Sequence, residues 1–289
     1  MRKVLMITLL RCDSSRTPNK CVLDLGGKPT FVQIFERGLE GYPNPDLKAV
    51  VTPLQMVNDP AALLAREYGY DVVRTHREPC REQLCSFDYY GLDDDDIYIA
   101  LPCDAPLQYT KHLGFAVEQF IKHEAEISMA VMRRGTLGWA VYAIGPWTVG
   151  HYRRITKHQH MWEHGTVYCN LDHHGRYLLI ELPPYLDTPW PWGPLNLDFP
   201  AQAVMHKAIY EELYDGKPID VRDVFDYFTR TPTVANMVEP DTIRAYNQIY
   251  PLGDHELLLA AVKHRGDYVE VKFEEGGDET DNLAGKCVK

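Results

Sequence analysis

The chain opens on an apolar run, Val4-Leu-Met-Ile-Thr-Leu-Leu10, that carries no charge. A run of this length with polar loop residues after it predicts a strand buried on both faces. A polar stretch with Arg11, Arg16 and Lys20 follows, and a Gly26-Gly27 turn then leads to Pro29, a fitting first helical residue. Phe31, Ile34, Phe35 and Leu39 share one face of the helix predicted over 29–39. Strands are predicted at 47–51, 71–74, 97–101 and 126–132, with helices at 59–68, around 81–89 and at 110–123. Asp59-Pro60 supplies a cap and a first-turn proline, and Gly69 a stop. Strands alternating with helices imply βαβ crossovers, so the fold class is α/β with a mainly parallel sheet flanked by helices.

The pattern breaks over 133–194, a stretch rich in aromatics and histidine, with Trp139, Trp147, Trp162, His158, His160, His173 and His174 among them. This is read as an irregular aromatic-rich insertion of the kind that recognises substrates. Its histidines come with no convincing ligand set, so no metal is assigned to them. Regularity returns at 195–200, where Asp198 ends a short predicted strand, and helices follow at 201–214 and 221–231. One or two further helices are expected in 239–265, an alternating strand-like run at 267–273, and a polar, disordered tail from 274 to 289. The implied organisation is a main domain over 1–250 and a C-terminal extension over 251–289.

At 289 residues one or two domains are expected. The formal charge of −11 argues against a nucleic-acid partner. No apolar run approaches the roughly 20 residues of a membrane span. The first apolar run has no small-residue cleavage site after it, so no signal peptide is read and a cytoplasmic location is expected. Seven scattered cysteines, without Cys-x-x-Cys spacing, indicate neither a zinc site nor a disulfide framework. The acidic run at 93–96 precedes a strand, at the edge opposite to ligand-binding loops, and is read as a solvated loop and not a metal site.

Candidate chemistry lies in the cationic loop. Arg and Lys in loops are ordinarily just solvated, but this loop follows a buried parallel strand, where open α/β sheets bind ligands. Three cations within ten residues suit a polyphosphate. Arg11, Ser14, Arg16, Pro18 and Lys20, followed by Gly27-Lys28-Pro29, resemble the signature loop of the cytidylyltransferases. That family includes CMP-sugar synthetases, 3-deoxy-ulosonate cytidylyltransferases and spore-coat polysaccharide proteins. Leu10 stands where the family pattern has Ala, and Asn19 where Gly is common. Asp104, in Pro102-Cys-Asp-Ala-Pro-Leu107, reads by itself as either a turn aspartate or a ligand. Its segment resembles the family's Gly-Asp-x-Pro-Leu, with Cys103 in place of Gly. Asp198 reads as a helix cap or, by resemblance, as the second metal aspartate of Val-Asp-x-Pro-Glu-Asp. Ala201-Gln202 replaces the acidic pair there, a change expected to matter little to the metal. The resemblance spans 1–236 and ends on Pro232 to Asn236.

The resemblance implies a Rossmann-like, GT-A-like nucleotidyltransferase fold. It implies transfer of CMP from CTP to an anionic acceptor (a sugar acid, sugar or phosphonate) with release of pyrophosphate. Arg11, Arg16, Lys20 and Asp104 would be catalytic. Leu10, Arg11, Ser14, Arg16, Lys20 and Asp104 would bind the nucleotide, with Ser14 near base and ribose. Mg²⁺ would sit on Asp104 and Asp198, and the protein would be a homodimer. Arg153, Arg154, Lys157 and His164 are the charged candidates for gripping the acceptor; the alternative is that such cations pair with carboxylates at an interface. A metal-dependent glycosyltransferase and a catalytically silent nucleotide-binding protein are the competing functions.

Overall fold

β1 (Val4–Leu9) is the strand that the first apolar run predicts, and its alternate side chains enter two separate cores. Val4 and Met6 join one hydrophobic cluster while Leu5 and Ile7 join the other, so both faces are covered, as an uncharged run requires. The computed structural model describes residues 2–76, 82–131, 145–156, 175–187, 195–238, 259–260, 262–264 and 266–275.

After the cationic loop come β2 (Asp24–Leu25) and β3 (Lys28–Pro29), a two-stranded antiparallel ribbon turning on Gly26 and Gly27. Both glycines have positive φ, 64° and 82°, the pairing that a tight two-residue hairpin demands. α1 (Thr30–Gly41) starts one residue later than the sequence predicts, because Pro29 belongs to the ribbon. β4 (Leu47–Pro53), α2 (Asp59–Glu67), β5 (Asp71–Thr75), α3 (Glu82–Tyr90), β6 (Ile97–Leu101), α4 (Leu113–Lys122) and β7 (Ile127–Val131) follow the predicted alternation.

Among the described residues, β8 (Trp147–Thr148), α5 (Val149–Ile155) and β9 (Tyr177–Glu181) lie where the sequence pattern gave only an irregular insertion. β9 runs parallel between β7 and β10 (Tyr268–Lys272), and such inner strands show no alternation to read. Among the described residues the sheet has eight strands in the order β10-β9-β7-β8-β6-β1-β4-β5, of which only β8 pairs antiparallel. The predicted mainly parallel α/β architecture is therefore the observed one. α6 (Pro200–Leu213), α7 (Val221–Arg230) and α8 (Pro232–Ala235) pack on the first cluster through residues such as Ile209, Phe228 and Val234. The start of the tail is held in place: the Tyr109 hydroxyl donates to Glu275 at 2.7 Å, and Tyr185 donates to the same carboxylate. Among the described residues no helix is long and apolar enough to cross a membrane.

Candidate active site

The cationic loop leaves β1 at the sheet's carboxyl edge and is tied down at both ends. Leu10, fully buried, donates its N–H to the Val51 carbonyl at 2.8 Å. The Cys12 N–H reaches Asn58 Oδ1 at 2.8 Å, and the Asn19 N–H returns to the Cys12 carbonyl at 3.0 Å. Asn19 closes the loop in the left-handed region, φ 59°. Asn is among the few residues other than Gly that tolerate it, which accounts for Asn where the resembling pattern has Gly. Cys103 has no positive φ, so its place in the Asp104 segment needs no glycine. The Thr17 N–H lies 3.4 Å from Ser14 Oγ, folding the loop crest over a hydroxyl.

From this loop Lys20 points inward and joins the two aspartates. Its Nζ donates to Asp104 Oδ2 at 2.8 Å and to Asp198 Oδ1 at 2.7 Å. Arg16 Nη2 donates to the same Asp198 Oδ1 at 3.1 Å, with its guanidinium over the Phe199 ring. The backbone repeats this convergence: the Leu197 N–H donates to the Asp104 carbonyl at 2.7 Å, and the Thr17 hydroxyl to the Asp198 carbonyl at 2.8 Å. Burial works against the charge of Lys20, but Asp104, Cys103 and Asp198 outweigh it and hold the ammonium's pKa above its ordinary value. Arg11 stays at the surface, 3.8 Å from Asp13. Three cations thus face three carboxylates, Asp13, Asp104 and Asp198.

Asp198 does not end a strand, contrary to expectation. It sits in a loop just before α6 and is held by Gln202, whose side-chain Oε1 accepts both the Asp198 N–H and the Phe199 N–H at 2.9 Å. Gln202 was discounted on the sequence, yet its place three residues into a helix is the capping-box position. Asn58, Thr17 and Phe199 were also missed; only the fold brings them to the loop. His206, one turn further along α6, is fully buried and its Nδ1 lies 2.8 Å from the Gln202 carbonyl. Burial pulls its pKa down to about 4. The folded chain keeps this ring neutral while the unfolded chain protonates it below about 6.5, so stability is lost as pH falls through that window. Urea unfolding between pH 4 and 7 checks this: His206→Gln is expected to flatten the slope, which for one such group reaches at most about 1.4 kcal/mol per pH unit.

A divalent cation fits this donor set. Asp198 Oδ2 is buried and has no hydrogen-bond partner, and a carboxylate oxygen in that state calls for a cation. Lys20 already shows that one positive centre can touch both aspartates. No group of three or more His, Cys, Asp or Glu suited to a metal occurs among the described residues. Two carboxylates suffice for Mg²⁺, which keeps waters and takes substrate phosphates as further ligands.

Two of the proposed acceptor residues, Arg153 and Arg154, lie away from this edge. Arg153 donates to Asp94 at 2.8 Å, to the Leu92 carbonyl at 3.2 Å and to Asp88 at 3.3 Å. Arg154 pairs with Glu126. Asp94 lies ahead of β6 and Glu126 ahead of β7, so α5 sits at the amino edge, across the sheet from the loop. Lys157 and His164 lie outside the described residues. The acidic run beside Arg153 has its own structural uses, since Asp96 accepts the N–H groups of Lys3 and Asp93 at 2.8 and 2.9 Å.

No protein-family model matches the chain. Among solved structures, a cytidylyltransferase from Leptospira borgpetersenii serovar Hardjo-bovis (strain JB197) overlays with a TM-score of 0.67 at 19% identity, covering 81% of this chain and 97% of that one. CMP:2-keto-3-deoxy-manno-octonic acid synthetase, complexed with CTP, is 22% identical over 44% of this chain and 52% of its own, with a TM-score of 0.37. Rv0371c from Mycobacterium tuberculosis H37Rv gives 12%, 72%, 98% and 0.46 for the same quantities. Of these three, the first speaks for the fold. The chain therefore shares its α/β fold with a cytidylyltransferase, and at the carboxyl edge of that fold Lys20 joins Asp104 to Asp198.

Proposed function

We propose that this chain is a nucleotidyltransferase that moves CMP from CTP to an anionic acceptor, releasing pyrophosphate. The observation that carries this reading is the convergence of Lys20 and Arg16 on Asp104 and Asp198, from three distant parts of the chain. An acceptor oxygen attacks the α-phosphorus, and the bond to the pyrophosphate oxygen breaks. Such a transfer asks the protein for in-line positioning and charge stabilisation, with no covalent group of its own. Asp104 and Asp198 would hold Mg²⁺, which supplies Lewis-acid neutralisation at the phosphates when bound. Lys20 and Arg16, now on carboxylates, turn to the β- and γ-phosphates and stabilise the departing pyrophosphate. Arg11, exposed at the loop's rim, adds the third cation. A glycosyltransferase would have no use for three cations on a leaving pyrophosphate. The test is a pyrophosphate-release screen over the four nucleoside triphosphates with Mg²⁺ and a panel of ulosonic acids, sugars and phosphonates. Release only with CTP and an acceptor is expected. Consumption of a nucleotide-sugar instead would overturn the reading.

Arg16→Ala is expected to weaken CTP binding while sparing CMP. A lost charge-assisted hydrogen bond is worth about 1.5–3 kcal/mol, or roughly 10- to 150-fold in affinity. Titration calorimetry with both nucleotides decides it, since equal losses would place Arg16 on the base, ribose or α-phosphate.

A further inference from the structure

Two thiols bracket the cationic loop. Cys12 stands at its start and Cys21 just after Lys20, and their sulfurs lie 3.9 Å apart, in contact. Both are buried, at 3% and 0% exposure. The surroundings hold them face to face: the Cys12 N–H is fixed on fully buried Asn58, its carbonyl receives the Asn19 N–H, and the Cys21 thiol donates to the Arg11 carbonyl at 3.4 Å. A disulfide needs about 2.0 Å between sulfurs. The sulfurs are already in contact, so the bond requires them to approach by about a further 2 Å. The two thiols are also unequal. The contact between the sulfurs pulls Cys12 below its ordinary value, and the same contact, with burial, pushes Cys21 well above it.

We propose that Cys12 and Cys21 form a reversible disulfide that clasps the cationic loop, with a peroxide as oxidant. The Cys12 thiolate attacks one peroxide oxygen, the O–O bond breaks, and Cys12 becomes a sulfenic acid as the first water forms. The Cys21 sulfur then attacks the Cys12 sulfur, the S–O bond breaks, and hydroxide leaves with the Cys21 proton as the second water. Two thiols lose two electrons and two protons, and hydrogen peroxide is reduced to two waters. A dithiol reductant reverses the change by exchange. Ser15, Pro18 and Asn19 on the loop crest are exposed, so opening of the crest admits the oxidant to the buried pair. Lys20 precedes Cys21 in the same short helical turn, Lys20–Val22. Drawing Cys21 toward Cys12 therefore shifts the residue whose 2.7 and 2.8 Å contacts hold the two aspartates together.

The test uses the full chain, reduced and then treated with hydrogen peroxide. Non-reducing peptide mapping is expected to find Cys12 linked to Cys21 within one molecule, the pair two hydrogens lighter, and dithiothreitol restores it. Amide hydrogen exchange over residues 13–20 is expected to slow at least about tenfold in the oxidised protein. Cys12→Ser and Cys21→Ser each abolish both responses; the wild-type comparison stands by itself if a variant does not fold. Turnover of CTP, where the proposed reaction holds, falls at least about tenfold on oxidation and returns with the reductant, because a displacement of an ångström at a reacting centre costs that much or more. Links to Cys85 or Cys103 instead, oxidation of Cys12 to a sulfinic acid without a link, unchanged exchange, or oxidised protein that turns over CTP at the reduced rate each overturn the proposal. A chain that turns over no CTP in either state overturns the reaction, while the mapping and exchange results still decide the thiol pair.

Discussion

Asp198→Asn and Asp104→Asn are each expected to lower turnover by more than about 100-fold. Loss of a residue that merely orients a metal ligand costs about 10- to 100-fold in metal affinity or activity, and these two are the proposed ligands themselves. The substitution keeps the size of the side chain and removes its formal charge, where carboxylates would be the protein's main hold on Mg²⁺. Mg²⁺ titration by calorimetry in the presence of CTP gives a readout apart from rate, and the affinity should fall with the turnover. Asp104 is the cleaner probe, since its side chain is 25% exposed and water can solvate what Lys20 loses. Asp198 has 1% exposure and receives both Lys20 and Arg16, so its replacement should also lower the urea midpoint. Wild-type turnover at limiting Mg²⁺ in either variant would remove that residue from the metal site.

Lys20→Ala is expected to cost about 3 kcal/mol of stability and, by the same deletion, roughly 100- to 1,000-fold in turnover. Removing one partner of a buried ion pair leaves the other charge without compensation, which typically costs 3–5 kcal/mol. Arg16 still reaches Asp198, which places the expectation at the low end of that range. The catalytic loss follows from taking away one preorganised positive group aimed at the leaving charge. Urea denaturation and steady-state kinetics measure the two effects separately. A companion variant, Lys20→Ala with Asp198→Ala, should recover part of the stability and none of the turnover, because the buried charge leaves with its partner. The pH dependence has a definite sign. The folded pKa of Lys20 lies above its ordinary value of 10.5, so its contribution is complete below that pH and is lost only as the pH rises past it toward the folded value. A Lys20→Ala variant whose stability matches wild type near neutral pH would show that Asp198 is solvated in solution.

Much of this molecule is written in local pattern. The uncharged run at 4–10 reads as an inner strand, because its length and polar bounds suit one and no charge would be buried on either face. The alternation of strands and helices out to β7 follows from capping residues and apolar stripes that act within a few residues of one another. The cationic loop was legible for the same reason: its cations, its small polar residues and the turn at Gly26-Gly27 are all local features. β9 was not legible, since a strand with neighbours on both sides needs no alternation, and aromatic and histidine residues surround it in sequence. Nor was the location of Arg153 and Arg154. A cation's charge is visible in sequence, but its partners Asp94 and Glu126 lie 59 and 28 residues away and are set by how β6, β7 and α5 pack. The meeting of Lys20 with Asp104 and Asp198, 84 and 178 residues apart, is likewise a product of sheet order, with β6 placed beside β1. The sequence by itself determined the strands out to β7, the cationic loop and the chemical types of its side chains, because those depend on short-range sterics and patterning. Only the tertiary structure decided which charges face one another, because electrostatic and hydrogen-bond partners are chosen by packing across the whole sheet.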